Sequence, residues 1–322
     1  MGRIRPLLLS LALLLSPLPA AAQDDYPNKP VRIIIPYAPG GINDLSARIL
    51  ATHLSNRLGK QFIPDNRTGA GGLVGFEVAA KAPPDGYTLV VKSISNAVLP
   101  ALHKELPFDP HKAYDPIALF VTSPNTLAVN PDLPAKSLKE LVALAKAKPG
   151  DLHYASGGAG GALHTGMELF KMLTGTDLVH VPFRGAGPAS IDVIAGNTKA
   201  LVATASSISG HIRGGKLRGL AVSSPKRLEA LPDVPTFIEA GLPEYQAGNW
   251  IGFAAPAGTP KAIIDKLHRE IVAVQAITEV QQQLLARGAE IERMGPAEFR
   301  TFIEKEMDKW GKVVKQAGIT AQ

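Results

Sequence analysis

Cysteine is missing from this chain of 322 residues. That absence excludes a disulfide framework, thiolate metal ligands and a thiol for lipid attachment, so an apolar core must hold the fold together. Long apolar runs are missing too. The stretch Leu7 to Leu15 is well short of the ~20 residues a membrane span needs, and no later stretch approaches that length. Basic runs and aromatic-basic stripes are also absent, which argues against nucleic acid as a partner. There is no internal repeat and no low-complexity tract.

Several catalytic and cofactor signatures are missing as well. "GGAGGALHTG" and "GAGGLVG" have the wrong spacing for a dinucleotide fingerprint. "GHIRGGKL" approaches a P-loop, but Leu217 stands where a magnesium-binding hydroxyl belongs. No H-E-x-x-H occurs and the eight histidines are scattered, so neither a metal nor a cofactor is expected. There is no G-x-S-x-G elbow, and the serines near glycine loops have no evident base partner.

At the N-terminus, Arg3 and Arg5 precede the short apolar run, and Pro17, Pro19 and Ala20-Ala21-Ala22 follow it. This pattern reads as a signal peptide, residues 1–22, cut near Ala22, which predicts a soluble exported chain. Without those two arginines, 32 basic residues face 28 acidic ones, a net charge of +4. Such an excess suits either steering of small anions or plain solubility.

Short apolar runs alternate with helical patterns, the mark of parallel sheets with crossover helices. Strands are predicted at 31–35, 61–64, 87–91, 126–129, 152–155, 178–181, 200–203 and 217–222. Ala47, Leu50, Leu54 and Leu58 form one helical stripe that Gly59 ends, and Ser137 with Glu140 forms a capping box. Thr259-Pro260 opens another helix, and Phe299, Ile303, Met307, Trp310 and Val314 line a last one. About 300 residues usually make two lobes. Thr122-Ser123-Pro124-Asn125 and Ser223-Ser224-Pro225 are the candidate crossings, giving one lobe from 23–123 with 224–322 and another from 124–223.

Three glycine-rich loops each join a strand to a helix. In "IIIPYAPGGINDLSAR" the loop Tyr37, Ala38, Pro39, Gly40 and Gly41 leads into a helix beginning near Asn43. Amides at a helix start lack intrahelical acceptors and carry partial positive charge, so bare backbone there can hold a carboxylate. Asp44 is expected to cap the helix and to pair with Arg48. The second loop comprises Ser156, Gly157, Gly158, Ala159, Gly160 and Gly161. Beyond it, His164 can either donate to an oxyanion or pack, and Arg184 can either serve the loop or face solvent. Two such loops, one in each lobe, are placed to grip the two ends of one anion. The third loop, Asn66 to Gly72, reads as turn chemistry. Ser93, Ser95 and Asn96 stand at a strand end, where parallel sheets place ligand groups.

The segments "PYAPGGINDLSAR", "DNRTGAGG", "PPDGYTL", "YASGGAGGALH", "VHVPFRGAGPA", "HIRGGKLRGLAVSS" and "LPDVPTFIEAGLPEY", in order, resemble the Bug family, the periplasmic receptors of tripartite tricarboxylate transporters. The resemblance implies an α/β venus-flytrap of the periplasmic binding-protein kind, type II-like, with a mostly parallel sheet flanked by helices in each lobe and two hinge crossings. It implies a monomeric periplasmic receptor that closes on a small carboxylate, often through ordered waters, and hands it to membrane transporter subunits. It also makes Tyr37 to Gly41 and Ser156 to Gly161 with His164 the two grips, with Ser93, Ser95, Asn96, Ala203 and Thr204 lining the cleft between them. Relatives often carry an aspartate where Ala203 and Thr204 stand. Its loss argues against an amino-bearing ligand and for an aliphatic or aromatic acid, with Tyr37, Phe183 and Trp250 as candidate apolar surface. Two alternatives remain open: an exported enzyme acting on a small acid, and a ligand-sensing partner of a membrane kinase.

Overall fold

The computed structural model describes residues 25–103, 105–158, 162–183 and 186–319. The expected signal peptide lies outside them. The chain opens with β1 (Val31–Ile35), α1 (Ile42–Leu58), β2 (Phe62–Asn66), α2 (Leu73–Ala80), β3 (Thr88–Ser93) and α3 (Ile94–Leu102). β1 lies between β2 and β3, all parallel. Next come β4 (Tyr114–Val129), α4 (Leu138–Ala147), β5 (His153–Ser156), α5 (Ala162–Thr174), β6 (Val179–Pro182), α6 (Ala186–Ala195), β7 (Ala200–Thr204), α7 (Ala205–Arg213) and β8 (Arg218–Val222). β6, β5 and β7 form a second parallel set. The chain ends with β9 (Gly248–Pro256), α8 (Lys261–Gln275), α9 (Thr278–Leu285), β10 (Glu290–Met294) and α10 (Pro296–Ala317).

β4 joins the two sheets. Its first part, Tyr114 to Pro124, pairs antiparallel with β9, and its last part, Asn125 to Val129, pairs with β7 and β8. The expected crossing at Thr122–Asn125 is thus the middle of one unbroken strand. On the return path, β8 reaches Val222 opposite Thr126, and β9 starts at Gly248 opposite Pro124. Between them the chain stays on the second sheet, where Phe237 N donates to Val222 O at 2.9 Å. Leu228, Leu231 and Val234 pack there on Ala205 and Val222. The return to the first sheet therefore falls at Gly248 rather than at residue 224.

The helical stripes bury as their spacing requires. Ala47, Leu50 and Leu54 lie against β1 and β3, and Gly59 closes α1 in the left-handed region at φ 68°. Ser137 Oγ accepts from Glu140 N at 3.2 Å, which caps α4. α10 lies across both lobes: Phe299 and Trp310 share one core with Ile94, Trp250, Met167 and Phe170. Full burial of Phe299 alone is worth about 2–3 kcal/mol. β9 and β10 escape the strand pattern for different reasons. β9 carries Gly252, where a Cβ would lie 2.2 Å from the Phe299 ring, so close packing displaces the usual β-branched residue. β10 is the charged segment EIERM, which pairs with β4 at the side of the sheet path.

Candidate functional site

The first loop runs from β1 to α1. Gly40 takes φ 88°, a left-handed value natural to glycine. Its N–H donates to Asp44 Oδ2 at 3.0 Å, Arg48 Nε donates to the same oxygen at 3.0 Å, and Asn66 Nδ2 donates to Asp44 Oδ1 at 2.9 Å. Burial pushes the Asp44 carboxyl upward, but these hydrogen bonds outweigh it and hold the group below the usual carboxylate range. Asp44 therefore pairs with Arg48 as expected, but it braces the loop through Gly40 N instead of capping α1, whose start has no side-chain cap.

The helical ladder of α1 begins only with Leu45 N donating to Gly41 O at 2.9 Å. Ile42, Asn43 and Asp44 thus have amides without intrahelical acceptors, and no side chain caps this terminus. A Cβ placed on Gly40 or Gly41 meets no atom within 4 Å, so the turn borders open space. Tyr37 Oη lies 2.5 Å from Ser93 Oγ, and Asn66 Nδ2 donates to Tyr37 O at 3.0 Å. Ser93 Oγ also accepts from Ser95 N at 3.4 Å at the start of α3. The loop is thereby tied to the end of β3. Asn43 Oδ1 accepts from Asn249 Nδ2 on β9 at 3.2 Å, which brings a crossing strand to the same place.

Among the described residues, several buried polar side-chain atoms find no hydrogen-bond partner: both amide atoms of Asn96 and of Asn125, Thr126 Oγ1 and Tyr245 Oη. A Cβ placed on Gly166 of α5 would lie 3.4 Å from Tyr245 Oη and 3.6 Å from Asn125 Nδ2, so these two groups flank one point. Each unsatisfied group costs about 1–3 kcal/mol. Asn96 is among the sequence-predicted residues. Asn125 and Tyr245 are not, because Asn125 sits in a stretch read as hinge and Tyr245 ends the segment LPDVPTFIEAGLPEY, to which the sequence reading assigns no ligand role.

In the second loop Ser156 is buried and its hydroxyl lies 2.6 Å from His180 Nε2. The fold therefore brings a histidine to this serine, a pairing that sequence spacing does not reveal. That hydroxyl also accepts from Gly158 N at 3.2 Å and lies 3.1 Å from Gly158 O, so it fastens the turn. His180 stacks on His164 with ring centroids 3.8 Å apart and on Tyr154 at 5.0 Å. Tyr154 Oη donates to Glu168 Oε1 at 2.5 Å, and Lys171 Nζ pairs with the same oxygen at 2.9 Å. His164 is packed in this cluster; burial, then the His180 charge, lowers its pKa to about 4. Gly157 is half-buried and Gly158 takes φ 135°. Ala159, Gly160, Gly161 and Arg184 lie outside the described residues.

At the end of β7, Ala203 and Thr204 stand opposite Thr126 and Asn125. Thr204 Oγ1 donates to Ser207 Oγ at 3.1 Å. Tyr37 and Phe183 are half-buried. Trp250 is not available as cleft surface: its ring is buried against Phe299 and Phe302, and its indole donates to Glu306 at 3.0 Å. A separate cavity of about 220 Å³ lies beside it, lined by Ser123, Ser224, Glu290 and Glu306 and by neither glycine loop. Among the described residues no group of three His, Asp or Glu side chains is arranged to hold a metal, and no helix is long and apolar enough to cross a membrane.

Comparison with known proteins adds independent findings. Residues 46–319 match the tripartite tricarboxylate transporter family receptor model. The chain is 37% identical to protein BugT of Bordetella pertussis (strain Tohama I) over 298 residues, 92% of this chain and 91% of the relative. Two solved structures share the architecture. The R. palustris protein Rpa4515, determined with adipate, has TM-score 0.78 and 32% identity over 92% of this chain and 99% of its own. MatC of Rhodopseudomonas palustris, determined with bound malate, has TM-score 0.75 and 30% identity over 90% of this chain and all of its own.

Proposed function

This chain belongs to the tripartite tricarboxylate transporter receptor family, and from that premise we propose that it captures a small dicarboxylate between its lobes and delivers it to the membrane subunits of a tripartite transporter. The observation that carries the reading is the uncapped start of α1, where the Gly40–Gly41 turn borders open space beside Asn43. Micromolar binding needs roughly 8 kcal/mol, and each hydrogen bond to a charged group supplies about 1.5–3 kcal/mol. Four or five donors reach that figure before association costs are subtracted. In this reading the amides of Ile42 and Asn43, with Tyr37, Ser93 and Ser95, hold one carboxylate. The second glycine loop, Ser156 to Gly161, together with Thr204 and Arg184, holds the other.

Adipate and malate, found in the two relatives above, set the chemical class: a short chain with an acid at each end. Ala203 and Thr204 offer no counter-charge to an amino group, which favours an acid without one. Residues 25–124 with 248–319 act as one lobe and 125–247 as the other, and ligand contact with both drives closure. The family consists of receptors, and the reading assigns this chain no turnover. The chain works as a monomer in the periplasm after cleavage near Ala22.

A thermal-shift screen of the purified protein against mono-, di- and tricarboxylates tests this. A ligand at 100 times its Kd adds about 2.7 kcal/mol. Stabilisation by adipate or malate but not by monocarboxylates supports the reading. No response to any carboxylate, or a stronger one to aspartate or glutamate, overturns it.

A further inference from the structure

Outside the cleft, β3 carries a residue that its pattern does not explain. Leu89 and Val91 pack on one face of the strand, and Val90 packs on the other with Phe76 and Tyr114. Lys92 follows Val90 onto that second face and is only 2% exposed. Its Nζ lies 3.9 Å from the centre of the Tyr114 ring and 5.5 Å from that of Phe76. Among the described residues it has no ion pair and no hydrogen bond. A buried ammonium set against two ring faces and paired with no carboxylate lacks a counter-charge. Burial and the Arg300 charge accordingly push its pKa well below the usual range.

Beside Lys92 is a cavity of about 20 Å³, bounded also by Arg300, His111, Ile303, Glu304 and Met307. That volume admits one water-sized particle. Asp115 pairs with Arg300 at 2.9 Å and accepts from Gly258 N at 2.8 Å, and it makes no pair with Lys92. His111 and Glu304 are exposed at the rim. The wall therefore presents the unpaired Lys92 ammonium, the Asp115-paired Arg300 guanidinium and aromatic or aliphatic surface, with the Glu304 carboxylate at the solvent edge.

We propose that this cavity is a site for a single monovalent anion of chloride size, held between the Lys92 ammonium and the Arg300 guanidinium. The anion supplies the counter-charge that the protein does not, and it anchors α10 to β3 one residue before Ser93. The site is independent of the dicarboxylate reading, since it needs neither glycine loop.

The test is the melting temperature of the mature protein in chloride and in methanesulfonate at equal ionic strength, without carboxylates. Chloride is expected to raise it by about 2 °C or more, bromide to act equally, and Lys92→Met to abolish the difference. Crystals of the native protein grown in bromide are expected to show an anomalous peak in contact with Lys92 Nζ. Should Lys92→Met fail to fold, the bromide peak decides alone. A melting temperature indifferent to the anion, a chloride effect that survives in Lys92→Met, or a cavity without bromide each overturns the proposal.

Discussion

Gly288 touches Ser206 across the lobes. A Cβ built on Gly288 would lie 2.7 Å from Ser206 Cβ and 2.9 Å from its backbone nitrogen. Gly288 precedes β10 in the first lobe and Ser206 lies in the first turn of α7 in the second, and Ser123 Oγ donates to Gly288 O at 3.4 Å where β4 crosses. This glycine, at φ 65°, sets how closely the lobes approach. Gly288→Ala is expected to hold them apart and to weaken dicarboxylate binding about tenfold, or 1.4 kcal/mol. Small-angle scattering and calorimetry with adipate or malate check this; native compactness and affinity would remove Gly288 from the hinge.

The two glycine loops are expected to respond differently to substitution. Gly41 has extended backbone, φ −76° and ψ 170°, and open space where a Cβ would go, so Gly41→Leu is expected to melt within about 2 °C of the native protein. Its dicarboxylate affinity should fall at least tenfold. Gly158 sits at φ 135°, where a side chain strains the backbone by about 1–3 kcal/mol, so Gly158→Leu should lose stability and binding together. Thermal melts with and without ligand separate the cases, and an unchanged affinity in Gly41→Leu takes the first loop out of the site.

Asn125 illustrates a different compromise. Its buried side-chain amide has no partner among the described residues, so Asn125→Leu is expected to stabilise the unliganded protein by about 1 kcal/mol. The same change should reduce dicarboxylate affinity. Urea denaturation without ligand and calorimetry with it check the two signs. A loss of stability in the leucine variant means that the amide is satisfied.

The stacked histidines predict the acid limb of the stability curve. The pKa of His164 falls from its ordinary 6.5 to about 4, through burial first and the His180 charge next, with Glu168 opposing and Lys171 adding to the fall. His180 is lowered as well, mainly by burial. The unfolded chain thus binds more protons than the folded one between these values, and stability present above pH 6.5 is lost as pH falls toward 4. For His164 this amounts to on the order of 2 kcal/mol. His164→Phe keeps a ring in the stack beside Tyr154 and should flatten the stability profile over that window. Parallel profiles for both proteins would show that His164 does not titrate there.

Much of this architecture was legible in the residues themselves, for identifiable reasons. Strand β1, the stripe of α1 and the last helix each carry local periodicity that burial enforces, and the bare amides of α1 follow from glycine placement alone. What was illegible depends on partners distant in sequence. β9 reads as a glycine-containing loop until Phe299 is brought against Gly252. The run from Ser224 to Ala247 lacks any strand or helix pattern, so nothing local shows that it packs on β8. Ser156 acquires His180, and Asn125 and Tyr245 come to flank Gly166, only when separate elements converge.

Glu306 shows how such convergence can be tested. Its carboxylate accepts from Trp250 Nε1 on β9 at 3.0 Å and from Trp310 Nε1 on α10 at 2.9 Å, and it also pairs with the Lys309 ammonium. Trp250 lies on the strand that returns across the hinge, so one acid fastens the crossing to the helix spanning both lobes. Glu306→Ala leaves two buried indole N–H groups without acceptors and is expected to cost about 3 kcal/mol or more. Glu306→Gln keeps one acceptor oxygen and should cost about half as much. Urea denaturation followed by tryptophan emission reads both the loss and the exposure of the indoles. If the glutamine variant were as unstable as the alanine one, the negative charge opposite Lys309 rather than hydrogen-bond acceptance would be what holds the crossing strand.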